Sequence, residues 1–224
     1  MTDSTLVVLV HGFGSSSDHG WRASGWIDLL EEAGREVIPI DLPGHGTSRR
    51  STDPADYPDV AAEIAASFAG RGPVDAVGFS AGAHLLLECA ARGLASFNRM
   101  AVLGAGPSLL DPRPDVGEFL DLNDPDPANI SARMFRGLAH RAGNDIAAVG
   151  AFARRRSHTL TATDLAAVMC DVLVVTGDRD PAGSPEKLAA MLPNATGQTI
   201  EGADHFSLQA NMRAMDAVFR HLGV

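Results

Sequence analysis

The sequence predicts an α/β fold: a mostly parallel sheet of about six strands with flanking helices and a short helical cap. Three observations carry that expectation. Short β-branched runs alternate with helical patterns, as a parallel sheet with crossover helices requires. Several of the runs are apolar on successive residues, as strands buried on both faces are. At 224 residues and 45% hydrophobic content, the chain is long enough to bury one full core.

The elements follow in order. Leu6–Val10 is the first strand, ending at His11-Gly12. A helix follows with Trp26, Leu29 and Leu30 on one face, ending near Gly34, which is placed to cap its C-terminus. Glu36–Ile40 and Ala76–Phe79 are the second and third strands. The helix after Ser80 carries Ala83, Leu86, Leu87, Ala90 and Ala91 at i, i+3, i+4, i+7 and i+8, and stops at Gly93. Arg99–Leu103 is the fourth strand.

The alternation then breaks. Pro107, Pro112, Pro114, Pro125 and Pro127 stand among aspartates, and the chain turns helical and arginine-rich through Arg156. Val172–Thr176 and Gly197–Ile200 resume the strands. A last helix, Met212 to Leu222, sets Met215, Val218, Phe219 and Leu222 on one side. Residues 1–106 and 169–224 therefore read as the core, and 107–168 as a helical cap inserted into a single domain.

Composition excludes several classes. A net charge of −10 argues against a nucleic-acid partner and against adhesion to anionic membranes. Cys89 and Cys170 are far apart and form no Cys-x-x-Cys spacing, so a disulfide framework or zinc ribbon is not expected. The apolar run Leu6–Val10 is too short for a signal-peptide core, and no long apolar stretch predicts a membrane span. The expected location is cytoplasmic. The sequence sets no oligomeric state.

The strongest local signal is Gly78-Phe79-Ser80-Ala81-Gly82, which follows a strand and opens a helix. So sharp a turn forces the serine into an unusual backbone conformation, and only small neighbours let strand and helix approach. Ser80 is the candidate nucleophile. In the chain order Ser, Asp, His, the candidate base is His205, on a loop after the last strand, rather than His221 on the last helix. Two aspartates compete for the orienting acid on Gly177-Asp178-Arg179-Asp180-Pro181; Asp180 is preferred, with Asp178 read as structural or paired with Arg179. The loop Gly104-Ala105-Gly106 offers no carboxylate. Backbone N–H groups of Ala81 and Phe13 are the candidate oxyanion donors. His11 is read as a brace for its loop.

Together these elements resemble the α/β-hydrolase superfamily, specifically its compact, cofactor-free members: esterases, lactonases, non-haem haloperoxidases and carbon–carbon bond hydrolases. The matching residues are His11-Gly12-Phe13-Gly14, Asp41-Leu42-Pro43-Gly44-His45-Gly46-Thr47-Ser48, the turn at Ser80, Gly177-x-x-Asp180 and Gly202-Ala203-Asp204-His205. They come in the family's order and span nearly the whole chain. The resemblance implies Asp180, three residues after its glycine, as the acid, and structural roles for Asp41 and His45. The family's usual leading hairpin looks absent, hence six strands rather than eight. No second glycine follows the Ser80 turn, and the cap matches no familiar pattern.

The chemistry expected is hydrolysis of a carboxylic ester or related small-molecule acyl compound through an acyl-enzyme, without cofactor or metal. Carbon–carbon hydrolysis, a lactonase, a thioesterase and perhydrolysis use the same three side chains. A non-catalytic ligand-binding relative is the remaining alternative. Arg133, Arg136, Arg141 and Arg154-Arg155-Arg156 read as a solvated face before they read as substrate contacts. Phe13, Trp21, Trp26, Phe79, Phe119, Phe135 and Phe152 are candidate pocket residues, each also suited to the core.

Overall fold

A computed structural model of the chain describes residues 6–111, 122, 126 and 128–224. The expectations for Phe119, Pro112, Pro114, Pro125 and Pro127 lie outside the described residues. The sheet contains β1 (Leu6–Val10), β2 (Glu36–Ile40), β3 (Val74–Phe79), β4 (Phe97–Leu103), β5 (Asp171–Gly177) and β6 (Ala195–Ile200). Their order is β2-β1-β3-β4-β5-β6, and every pairing is parallel. The helices are α1 (Trp26–Glu32), α2 (Val60–Ala66), α3 (Ala81–Ala91), α4 (Ile130–Arg141), α5 (Ile146–Arg154), α6 (Ala162–Ala166), α7 (Pro185–Ala189) and α8 (Met212–Leu222).

The strand period of two divides the core. Val8, Val10, Ala76, Met100, Val102, Val172 and Val174 point to one face, where α2, α3 and α7 pack. Val7, Leu9, Val77, Ala101, Leu103, Leu173 and Val175 point to the other, beneath α1 and α8. Both faces are covered, which explains the unbroken apolar runs in the sequence. On α1 the buried residues are Trp26, Ile27 and Leu30, whereas Leu29 is 38% exposed. Leu29 therefore does not share the buried face; on so short a helix the arc opposite it covers the sheet. On α8 the expected face packs inward, with Phe219 edge-on to Trp26 at 5.5 Å between centroids.

Between β4 and β5, the described residues carry α4, α5 and α6 and no strand. Leu122, Ala132, Ala139 and Val149 form a small apolar cluster there, and Phe13, Phe135 and Ile146 pack against it. Among the described residues no helix is long and apolar enough to cross a membrane.

Candidate active site

Ser80 sits between the end of β3 and the start of α3 with φ 52° and ψ −109°. Among the described residues it is the one non-glycine with positive φ, a conformation that costs of order 1–3 kcal/mol and persists only where its surroundings enforce it. The enforcement is steric. A Cβ on Gly82 would lie 2.1 Å from the Val10 carbonyl oxygen, and one on Gly78 would lie 2.7 Å from the Ala83 backbone. The helix start is thus pressed onto β1 and β3, and the turn projects the hydroxyl outward. The Ser80 N–H donates to Leu103 at 2.8 Å, and the Ser80 carbonyl accepts from His84 N–H at 3.0 Å.

His205, from the loop after β6, brings Nε2 to 3.0 Å from Ser80 Oγ. Its Nδ1 lies 3.0 Å from both carboxylate oxygens of Asp180. A carboxylate that accepts from Nδ1–H leaves Nε2 as the acceptor for the serine hydroxyl. Asp180 has a fully buried side chain, held by the Ala182 N–H at 2.9 Å to Oδ1. Asp178 turns outward and accepts from the Gly202 N–H at 2.8 Å, while Arg179 donates to the Gly202 carbonyl. Asp178 thus ties the two loops together without touching the imidazole. The structure brings Ser80, His205 and Asp180 together and leaves Asp178 and His221 out.

The imidazole rests on Gly104, the first residue after β4. A Cβ there would stand 2.9 Å from His205 Cε1 and 3.0 Å from Phe79. This position holds no chemistry, yet a side chain on it would displace the ring.

Phe13 and Ala81 line one cavity together with Ser80 and His205. The Phe13 loop is braced from three directions. His11 Nε2 accepts from the Leu42 N–H at 3.0 Å, and His45 Nε2 accepts from the Gly14 N–H at 3.0 Å. Asn144, buried between α4 and α5, donates to the Gly14 and Ser15 carbonyls at 3.0 and 2.9 Å. Its oxygen accepts from the Gly46 N–H at 2.7 Å. Asp41 accepts from the N–H groups of Ser17 and Thr47 at 2.7 and 2.8 Å. Sequence reasoning missed Asn144, because a lone asparagine between two helices carries no local sign of partners 130 positions away.

The cavity has a volume of about 830 Å³ and is also lined by Leu109, Met134, Phe135 and Phe152 from the 107–168 stretch. Phe13 packs edge-on to Phe135 at 5.3 Å and stacks on Phe152 at 6.3 Å. Of the candidate aromatics, Trp21 and Trp26 belong wholly to the core beneath the sheet. Of the arginines in the 107–168 stretch, Arg154 and Arg155 reach the cavity wall, and the Arg155 guanidinium lies 3.6 Å over the Phe152 ring.

Burial controls two histidines here. Desolvation pushes the His45 pKa down to about 3, with His11 nearby lowering it further against the Pro43 hydrogen bond. Desolvation also lowers His11, against the Gly12 carbonyl and Asp41. Burial alone would raise Asp41, but the hydrogen bonds from Ser17 and Thr47 outweigh it and hold the carboxyl low. An unfolded histidine titrates near 6.5, so the unfolded chain binds protons at pH values where the folded one does not. The stabilisation is therefore full above about pH 6.5 and is lost as pH falls toward 3. Melting temperature should drop steadily from pH 7 to pH 4. His45→Gln, which can keep both hydrogen bonds, should flatten that slope; an equally steep slope in the variant would refute the assignment.

Three solved structures share this architecture. NosK from Streptomyces actuosus superposes with a TM-score of 0.70 at 23% identity, over 97% of this chain and 96% of the other. An esterase from Thermogutta terrifontis gives 0.70 at 20%, over 97% and 89%. A 2-hydroxy-6-oxo-6-phenylhexa-2,4-dienoate hydrolase from Rhodococcus gives 0.68 at 20%, over 99% and 91%. No curated protein matches the sequence. The alpha/beta hydrolase family model matches residues 7–219, from the first strand to the last helix and across the turn at Ser80. Because that match spans nearly the whole chain and with it the six-stranded parallel sheet, the chain belongs to the alpha/beta hydrolase family.

Proposed function

We propose that this hydrolase cleaves a carboxylic ester or related acyl compound through a covalent acyl-enzyme on Ser80. The observation that carries the reading is the line of 3.0 Å contacts from Asp180 through His205 to Ser80 Oγ. In this scheme His205 Nε2 takes the hydroxyl proton as Oγ attacks the carbonyl carbon. Asp180 fixes the ring's tautomer and stabilises the imidazolium that forms. The backbone N–H groups of Phe13 and Ala81 hold the developing oxyanion, each such donor lowering the barrier by about 3 kcal/mol.

His205 then returns its proton to the leaving oxygen, and the ester bond breaks. A water molecule, deprotonated by His205, attacks the acyl carbon and releases the acid, which restores Ser80. The substrate partner is a small molecule. Helices α4 to α6 serve as the cap, and the cavity beneath them takes the bulky side of the substrate.

A fluorophosphonate tests the scheme directly. Incubation with folded protein, followed by intact mass and peptide mapping, is expected to show a single adduct on Ser80. Folded protein that leaves Ser80 unlabelled at saturating reagent would sink the proposal.

A further inference from the structure

Ser80 and His205 face a second, smaller space besides the large cavity. It measures about 160 Å³ and lies between the Phe13 loop and the stretch after His205. Gly12, Phe79, Ser80 and His205 close one end; Phe135, Leu138 and Phe206 give it apolar walls. The remaining lining includes the polar side chains of Ser15, His19, Ser24 and Gln209, beside Phe13, Gly20 and Ala210.

Gln209 carries the argument. It is 9% exposed, and its Nε2 has no hydrogen-bond partner. A buried amide donor without a partner costs about 1–3 kcal/mol, which a bound acceptor would offset. The residue is anchored independently of its amide, since its backbone carbonyl accepts from Trp26 Nε1 at 2.7 Å. The opposing backbone makes room for it. A Cβ on Gly20 would lie 2.9 Å from Gln209 Nε2 and 3.1 Å from Ser15 Oγ. Gly20 belongs to a wide π-type turn, Ser17–Arg22, a geometry found often at functional sites. Ser15 Oγ reaches only the Ser16 carbonyl, at 3.5 Å, a length at which little hydrogen bonding remains. Two buried polar groups with unspent capacity thus share a small chamber that opens on the nucleophile.

The geometry points to a subsite for the smaller substituent of the substrate, one of about five heavy atoms that bears a hydrogen-bond acceptor. The size follows from the volume, because a water's share of liquid is about 30 Å³. The polarity follows from the Gln209 amide and the Ser15 hydroxyl, and the apolar walls accept the rest of the group. Gln209 is here a specificity-determining residue. The substrate class is an acyl compound with a bulky arm toward the cap and a short ether, carbonyl or hydroxyl-bearing arm in this chamber. The assignment rests on the serine-hydrolase reading above.

Two fluorophosphonates test it, alike except that one carries a 2-methoxyethyl arm and the other an isosteric butyl arm. The rate of Ser80 labelling by intact mass is the readout. Wild type should label faster with the methoxyethyl reagent, and Gln209→Met, which keeps the volume without the amide, should lower that rate ratio about tenfold. Ser15→Ala should lower the same ratio by a smaller factor, which keeps the test valid if the Gln209 variant misfolds. Equal wild-type rates, or a ratio that both variants leave in place, would overturn the subsite alone. No labelling by either reagent would overturn the serine-nucleophile reading, and the subsite with it.

Discussion

Ser80→Ala is expected to reduce kcat on a short p-nitrophenyl ester by about 10⁶-fold, the loss typical when the nucleophile of such a unit is removed. The residual rate should still exceed that of water by about 10³–10⁴-fold, because oxyanion donors and binding survive. The fold should survive too. Alanine keeps the Cβ, and the positive φ at this position is imposed by the approach of Gly82 to β1 rather than by the hydroxyl. Melting temperature should therefore move by no more than a few degrees. A variant that keeps a tenth of wild-type turnover would mean that a group other than Ser80 attacks the ester.

Asp180→Asn is the second large effect, with an expected loss of about 10³–10⁴-fold in kcat and a folded protein. The asparagine fits the same space and still accepts from Ala182, but it cannot replace two carboxylate oxygens that face one ring nitrogen. With the amide group beside Nδ1, the ring is driven to the tautomer that carries its proton on Nε2, and Ser80 loses its acceptor. Asp178→Asn supplies the contrast. That carboxylate is exposed and serves the Gly202 N–H, so its loss should leave kcat within a few-fold. Equal losses from both variants would show that the loop, not the carboxylate, matters.

The sheet was largely legible in the sequence, for a definite reason. Strands such as Leu6–Val10 and Val172–Thr176 are covered on both faces, so their burial is written as consecutive apolar residues. The turn at Ser80 was legible because its constraint is local: two glycines within two residues of the serine let backbone touch backbone. Elements settled by distant partners were not. α2 is short and rich in alanine, and it follows an irregular stretch that gives no periodic face. The inward face of α1 was misassigned at Leu29, since seven residues make too few turns to fix a phase. Gly104 looks like any loop glycine until His205, far along the chain, rests on it. Asn144 and Gln209 belong to the same class, as polar residues whose burial is decided by loops they do not adjoin.

The strand order has a consequence for how the molecule is assembled. After β1, strands β3, β4, β5 and β6 are each laid beside the one before, outward in a single direction. During synthesis the sheet can grow edge by edge as the chain emerges, each newcomer finding its template already in place. The imidazole arrives only with the loop beyond the outermost strand. Under the proposed scheme, Ser80 therefore gains its base only after β6 and the loop that follows it have docked.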